Sequence, residues 1–378
     1  MPRANPPSRR QQGFTLIELM VGVVLGMLAI VAIAQVLVVS EGRKRTITSG
    51  ADAQISGALG LYAIQREVQM AGYGIGVSQA ALGCTVKYKN GSSALGSFTL
   101  APVVIGTGTN GSNTIQVLRS TKTSFSVPIR ITEAHPVDGT RFVVQSSVGV
   151  IPNDLLIAVP PLPSATDWCT ISQAYESGTN LMTNLSVPHA QVADAPWNQP
   201  STANVMPAMG YAAGSYLLNL GAMSLRTFSV NNTTQSLQTT DLTRDSGGWT
   251  SAQDAQPQVV VLKAMYGKDT NNDQTVDQYD NVAPTNAAEW KQVLSIRVVI
   301  VARSAQFEKD NEGSGNVTGS ALEWDLGPNT VTVANATTCH TDHQCLSITL
   351  THLGDDWQKY RYKLYDTVIP LRNVLWNS

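Results

Sequence analysis

The chain has 378 residues, 43% of them apolar, 14% charged and 6% aromatic, with a formal net charge of −2 at pH 7. The apolar content excludes a disordered chain, and the near-neutral balance excludes a polybasic nucleic-acid binder. Thirty glycines and 18 prolines mark a turn-rich, β-leaning exported domain, and the length allows two or three domains.

In chain order, a short basic leader comes first, with Arg3, Arg9 and Arg10, and ends at Gly13. From Phe14 to Val39 the only charge is Glu18. As a helix this run spans about 39 Å, more than the roughly 30 Å of bilayer hydrocarbon, so residues 14–39 are expected to cross a membrane. The arginines precede it, which places the leader in the cytoplasm and the bulk of the chain across the membrane. A secretory signal peptide is the first rival, but its small-residue cleavage site follows a short apolar core. Here the core is long and the small residue, Gly13, precedes it. A carboxylate at the bilayer centre costs roughly 2.5–3.5 kcal/mol. Cleavage after Gly13 would give Phe14 a free amine one helical turn from Glu18. The carboxylate then neutralises that amine or a neighbour's, and it sits where the helix dipole favours an anion. The plain alternative is an ordinary anchor with a tolerated interfacial Glu.

Gln12-Gly13-Phe14-Thr15-Leu16-Ile17-Glu18-Leu19 resembles the class III signal of type IV prepilins and type II secretion pseudopilins. The resemblance implies cleavage between Gly13 and Phe14 by a prepilin peptidase, N-methylation of Phe14, and a role for Glu18 in registering a subunit during assembly. It also implies a pilin-like α+β fold, in which a long N-terminal transmembrane and spine helix packs on a large antiparallel β-sheet domain.

Residues 40–72 read as an amphipathic continuation of that helix. Ile47, Ala51, Ile55, Leu59, Tyr62 and Met70 fall at helical spacing and are expected to rest on a sheet. Gly42, Gly50, Gly57 and Gly60 each cost about 1 kcal/mol relative to Ala, and Gly72 is the expected C-cap. Residues 73–378 read as an exported β-rich domain. Strands are expected at 100–105, 114–120, 141–146, 155–159, 216–230, 258–264, 294–303, 330–333, 346–351 and 363–371. Polar loops are expected at 90–97, 106–113, 245–254 and 311–320, a short helix at 287–293, and an irregular Pro-rich excursion at 160–215.

Residues 61–76, the block 262–303 (Tyr266-Gly267, an acidic run, Trp290, Ile296-Arg297-Val298-Val299-Ile300) and the tail 365–373 resemble the PilW family of large minor pilins. These blocks cover about a third of the chain, and residues 77–255 carry no resemblance. The resemblance implies a non-enzymatic subunit that primes pilus assembly at or near the tip, for twitching motility and adhesion. It implies as partners other minor pilins, the major pilin, the prepilin peptidase, the inner-membrane assembly platform and a tip adhesin, with no nucleic acid. The subunit would be a single-pass inner-membrane protein with a periplasmic domain, then part of an extracellular pilus. The alternatives are a secretion pseudopilin and a membrane-anchored adhesin or DNA-uptake module. Losing the leader's three arginines makes the chain more acidic, which argues against DNA.

Asp269, Asn271, Asp273, Thr275, Asp277 and Asp280 fall at positions 1, 3, 5, 7, 9 and 12 of a calcium loop. Gln274 replaces the turn glycine and Asp280 the bidentate Glu, and a solvated Asx turn is the plain alternative. An even count of four cysteines in an exported chain suggests disulfides, with three pairings open. Proximity favours Cys339–Cys345, which leaves Cys84–Cys169. Cys339-His340-Thr341-Asp342-His343-Gln344-Cys345 is too compact to surround a zinc ion. His135, His189 and His352 stand isolated in the sequence. Gly106-Thr107-Gly108-Thr109-Asn110-Gly111 matches G-x-G-x-x-G, but the alternation after it reads as a hairpin, not a nucleotide-binding helix. No hydrolase, zincin or P-loop motif is present.

Overall fold

A computed structural model describes residues 13, 15–75, 79–123, 127–307, 318–319, 321–328 and 331–375. The leader residues 1–12, Phe14 and most of the expected 311–320 loop lie outside the described residues. The chain divides into two units, Met1–Ala51 and Asp52–Ser378. The long helix Leu16–Gln69 contributes to both. Within it, the 27 residues Leu16–Gly42 are long and apolar enough to cross a membrane.

In the second unit the helix buries an unexpected face. Ala53, Ser56, Gly57, Gly60, Ile64, Glu67, Val68 and Ala71 form the inward stripe at steps of three and four residues. Ile55, Leu59 and Tyr62, expected against the sheet, are 58%, 47% and 61% exposed. The reason is close packing. A Cβ on Gly57 would strike the Tyr365 ring, and one on Gly60 would lie 3.1 Å from Ile300 Cδ1. The glycines read as weak points by propensity are therefore the seam that lets the sheet approach the helix backbone. Glu67 pins the last turn, accepting from Arg119 Nε at 3.3 Å and Arg226 Nη1 at 3.1 Å. Gly72 then takes the left-handed conformation (φ 77°) expected of the C-cap.

The seam faces a five-stranded sheet ordered Thr332–Val333, Gln278–Asp280, Val259–Lys268, Val293–Arg303, Tyr362–Pro370. Its two long central strands pair antiparallel, Leu262 opposite Ile300 and Tyr266 opposite Ile296. They read as near-continuous apolar runs because both faces are covered. Leu262, Ala264, Ile296, Val298 and Ile300 pack with Ile64 and Val68 of the helix. Val261, Met265, Val299 and Val301 pack with Trp324, Ile348 and Trp357 on the other side. That outer cover is a three-stranded sheet of Leu322–Pro328, His343–Ile348 and Thr337–Cys339. A second five-stranded antiparallel sheet runs Gln253–Pro257, Ser236–Leu242, Ser224–Asn231, Asn113–Arg119, Val103–Thr107 and shares the helix-side core. Gly106–Gly111 is its hairpin connection, as the alternation predicts, with Gly106 opposite Thr114.

The expected strand 216–230 is two strands, Tyr216–Gly221 and Ser224–Asn231, in different sheets. Positive φ at Gly221 (62°) and Met223 (54°) turns the chain between them. Tyr216–Gly221 belongs to a six-stranded sheet with Gly96–Thr99, Thr85–Tyr88, Cys169–Gln173, Leu155–Val159 and Ile129–Arg130. The expected irregular excursion 160–215 thus contributes a fully buried strand, Cys169–Gln173. That strand runs parallel to Thr85–Tyr88, and Cys84 is bonded to Cys169 beside the pairing. Cys339–Cys345 is the second disulfide.

His135 and His189 are not isolated. Their Nε2 atoms are 2.8 Å apart, and both rings stack on Phe142 with centroids 4.2 and 4.6 Å away. Both side chains are buried, and burial pushes both below the usual histidine pKa of 6.5. Each imidazole disfavours charge on the other, since a neutral donor and a neutral acceptor make the bond.

Two outcomes are expected from these contacts. Gly57→Ala gains about 1 kcal/mol of propensity and meets a steric cost of about 1–3 kcal/mol. Denaturant unfolding should show net destabilisation, whereas Gly50→Ala, with nothing within 4 Å of its added Cβ, should stabilise. The histidine pair contributes stability that is complete above the unfolded pKa of about 6.5 and is lost as pH falls toward the depressed folded values. Unfolding titrated from pH 7 to pH 4 should weaken more steeply for the native chain than for a His135→Phe/His189→Phe variant. Parallel curves would remove the pair from the account.

Candidate functional site: the helix N-terminus and the features around the sheet

Thr15 and Glu18 form a capping box at the head of the long helix. The Thr15 backbone N–H and its hydroxyl both donate to Glu18 Oε2 at 3.0 Å, and the Glu18 N–H donates to Thr15 Oγ1 at 3.3 Å. This satisfies backbone donors that the first turn would leave open. The T-x-x-E spacing of Thr15 and Glu18 is the sequence signature of this box. Gly13 is exposed just before it. Phe14, the expected methylation site, lies outside the described residues. Along the apolar segment Gly22 and Gly26 have nothing within 4 Å of an added Cβ, which leaves an open small-residue face for another helix.

The exposed Ile55, Leu59 and Tyr62 make a second apolar feature, on the outward side of the glycine seam. Three large apolar residues at steps of three and four form one continuous ridge.

The acidic loop is a self-capped turn between Val259–Lys268 and Gln278–Asp280. Asp269 accepts from the Asp273 and Gln274 N–H groups at 3.1 and 2.7 Å. Asp277 Oδ2 accepts from the Thr270 and Asn271 N–H groups at 2.8 and 3.2 Å. Asp273 takes the Thr275 N–H and hydroxyl, which holds its carboxyl below the usual carboxylate range. Gln274 adopts φ 68° in place of the glycine that a calcium loop carries there. Asp280 is nearly buried and ion-paired to Lys268 Nζ at 2.7 and 2.9 Å. The structure therefore brings Asp269, Asn271, Asp273 and Asp277 into one turn and gives Asp280 a cation of its own. In the Cys339–Cys345 loop both sulfurs are spent on the disulfide, and His343 Nδ1 lies 2.9 Å from Asp325.

Comparison with known families agrees with this geometry. The model for the prokaryotic N-terminal methylation motif matches residues 8–34, which contain the capping box and the Gly22/Gly26 face. The model for type IV pilus-assembly protein W matches residues 227–373. That span holds the two-faced sheet, the acidic loop, the outer cover and the second disulfide. No curated protein and no solved structure matches the chain. The chain thus carries a prepilin methylation signal on an apolar, membrane-anchoring helix and, over residues 227–373, a region similar to type IV pilus-assembly protein W, the pairing of a PilW-like type IV minor pilin.

Proposed function

We propose that this chain is a structural subunit that enters the pilus after processing. The prepilin peptidase cuts between Gly13 and Phe14 and methylates Phe14. Residues 1–13 are the leader, 14–39 the membrane segment, 40–72 the spine continuation and 73–378 a domain exported to the periplasm. The single observation that carries the reading is the methylation-motif match over residues 8–34, on a helix whose apolar faces point outward. Before assembly the Thr15 box holds the Glu18 carboxylate. In a filament Glu18 exchanges that partner for a neighbour's Phe14 amine, which neutralises both charges away from water. The Gly22/Gly26 face and the Ile55–Leu59–Tyr62 ridge then meet the helices of other pilins.

The wider role proposed is priming of assembly at or near the tip, in support of twitching motility and adhesion, with other minor pilins, the major pilin and the assembly platform as partners. The match to a pilus-assembly family supports this over a secretion pseudopilin. Calcium at the acidic loop is also proposed, on its oxygen spacing. Asp280 must then leave Lys268 for the ion, and a calorimetric calcium titration with no heat ends that reading.

The intact mass of the protein from native membranes tests the main reading. Loss of residues 1–13 plus one methyl group is expected. A full-length, unmethylated chain contradicts it and leaves an anchored domain that does not enter pili.

A further inference from the structure

A cavity of about 280 Å³ opens where the 103–119 hairpin, the Val259–Lys268 strand and the outer three-stranded cover meet. Lys263 and Trp324 line its walls, with Asn281, Asn335 and Ser347 exposed among the lining residues. Lys263 is half-buried, and burial alone lowers its pKa, with no carboxylate acting in the opposite sense. Among the described residues its ammonium has no hydrogen-bond acceptor or ion-pair partner. It sits beside the hairpin turn, 3.7 Å from where a Cβ on Gly111 would lie. Burial lowers the pKa of His352, and the Lys263 charge adds to that in the same direction.

Trp324 closes one wall and is 2% exposed. A desolvated cation without a partner is costly, and an anion seated in the cavity would satisfy the Lys263 ammonium. By contrast, Asn113 on the same wall is fully engaged, donating to Gly106 O and accepting from the Ala264 N–H.

We propose that this cavity binds a small monoanionic carboxylate ligand of the class of a carboxylated monosaccharide. Lys263 supplies the one countercharge, and the Trp324 ring is apolar wall. Asn281, Asn335 and Ser347 are polar groups for ligand hydroxyls, and Met265 and Ile348 are apolar lining for a ring. A single cation suits a carboxylate better than a phosphate dianion, which would need more than one. Lys263 and Trp324 lie in the region matched by the assembly-protein family, while the hairpin wall at residues 107–113 lies outside it, and the site rests on no assumption about the filament.

The test is calorimetric titration of the full chain in detergent at low salt, with glucuronate as probe and glucose as the neutral control. Glucuronate is expected to bind at least tenfold more tightly than glucose. Lys263→Met should weaken it by at least tenfold while raising the unfolding midpoint, because an unpaired half-buried charge is removed. Should Lys263→Met fail to fold, Lys263→Gln takes its place. Absence of glucuronate binding, equal affinity for glucose, or unchanged affinity in the Lys263 variant overturns the proposal.

Discussion

The approach of the helix backbone to the sheet at Gly57 and Gly60 is the constraint on which the rest of the β-rich unit depends. A helix buries one stripe, and which stripe is settled by the distance at which its partner can close. Here the small residues face inward, and Tyr365 and Ile300 occupy the space that larger side chains would fill. Ile64 and Val68, a turn or two later, supply the apolar anchor, and Glu67 supplies the polar one. The consequence is that Ile55, Leu59 and Tyr62 remain outside. One helix thereby supplies both a dry core and an apolar exterior.

The central sheet is arranged with similar economy. Val259–Lys268 and Val293–Arg303 are covered by the helix on one side and by the Trp324–Ile348 layer on the other. Double burial explains their unbroken apolar text, and it positions the Lys263 cavity at the seam of three layers.

Legibility in the sequence followed the physics of each signal. The membrane segment, the strands 155–159 and 294–303 and the hairpin at Gly106 were visible because run length and alternation are local properties. Both disulfide pairings followed from proximity in sequence and elimination. The inward face of the helix was misread because apolar periodicity identifies an apolar stripe, not the side on which it is buried. Glycine counted as a propensity cost hid its role in close approach. The break at Gly221–Met223 was missed because its two flanking strands share one apolar text. The His135–His189 pair joins residues 54 apart, and Cys169–Gln173 gains its place from a parallel partner 83 residues earlier, so no local pattern announces either. The Thr15–Glu18 box is local and legible as T-x-x-E, a spacing separate from the signal of a lone carboxylate in an apolar run.

The account rests most directly on the outward ridge meeting other pilins. A photo-crosslinking residue at Leu59 in piliated native cells measures this, with the same residue at the buried Ile64 position as control. The account predicts crosslinks from position 59 to other pilin subunits and none to them from position 64. Crosslinks from position 59 confined to this chain's own domain or to lipid would contradict it.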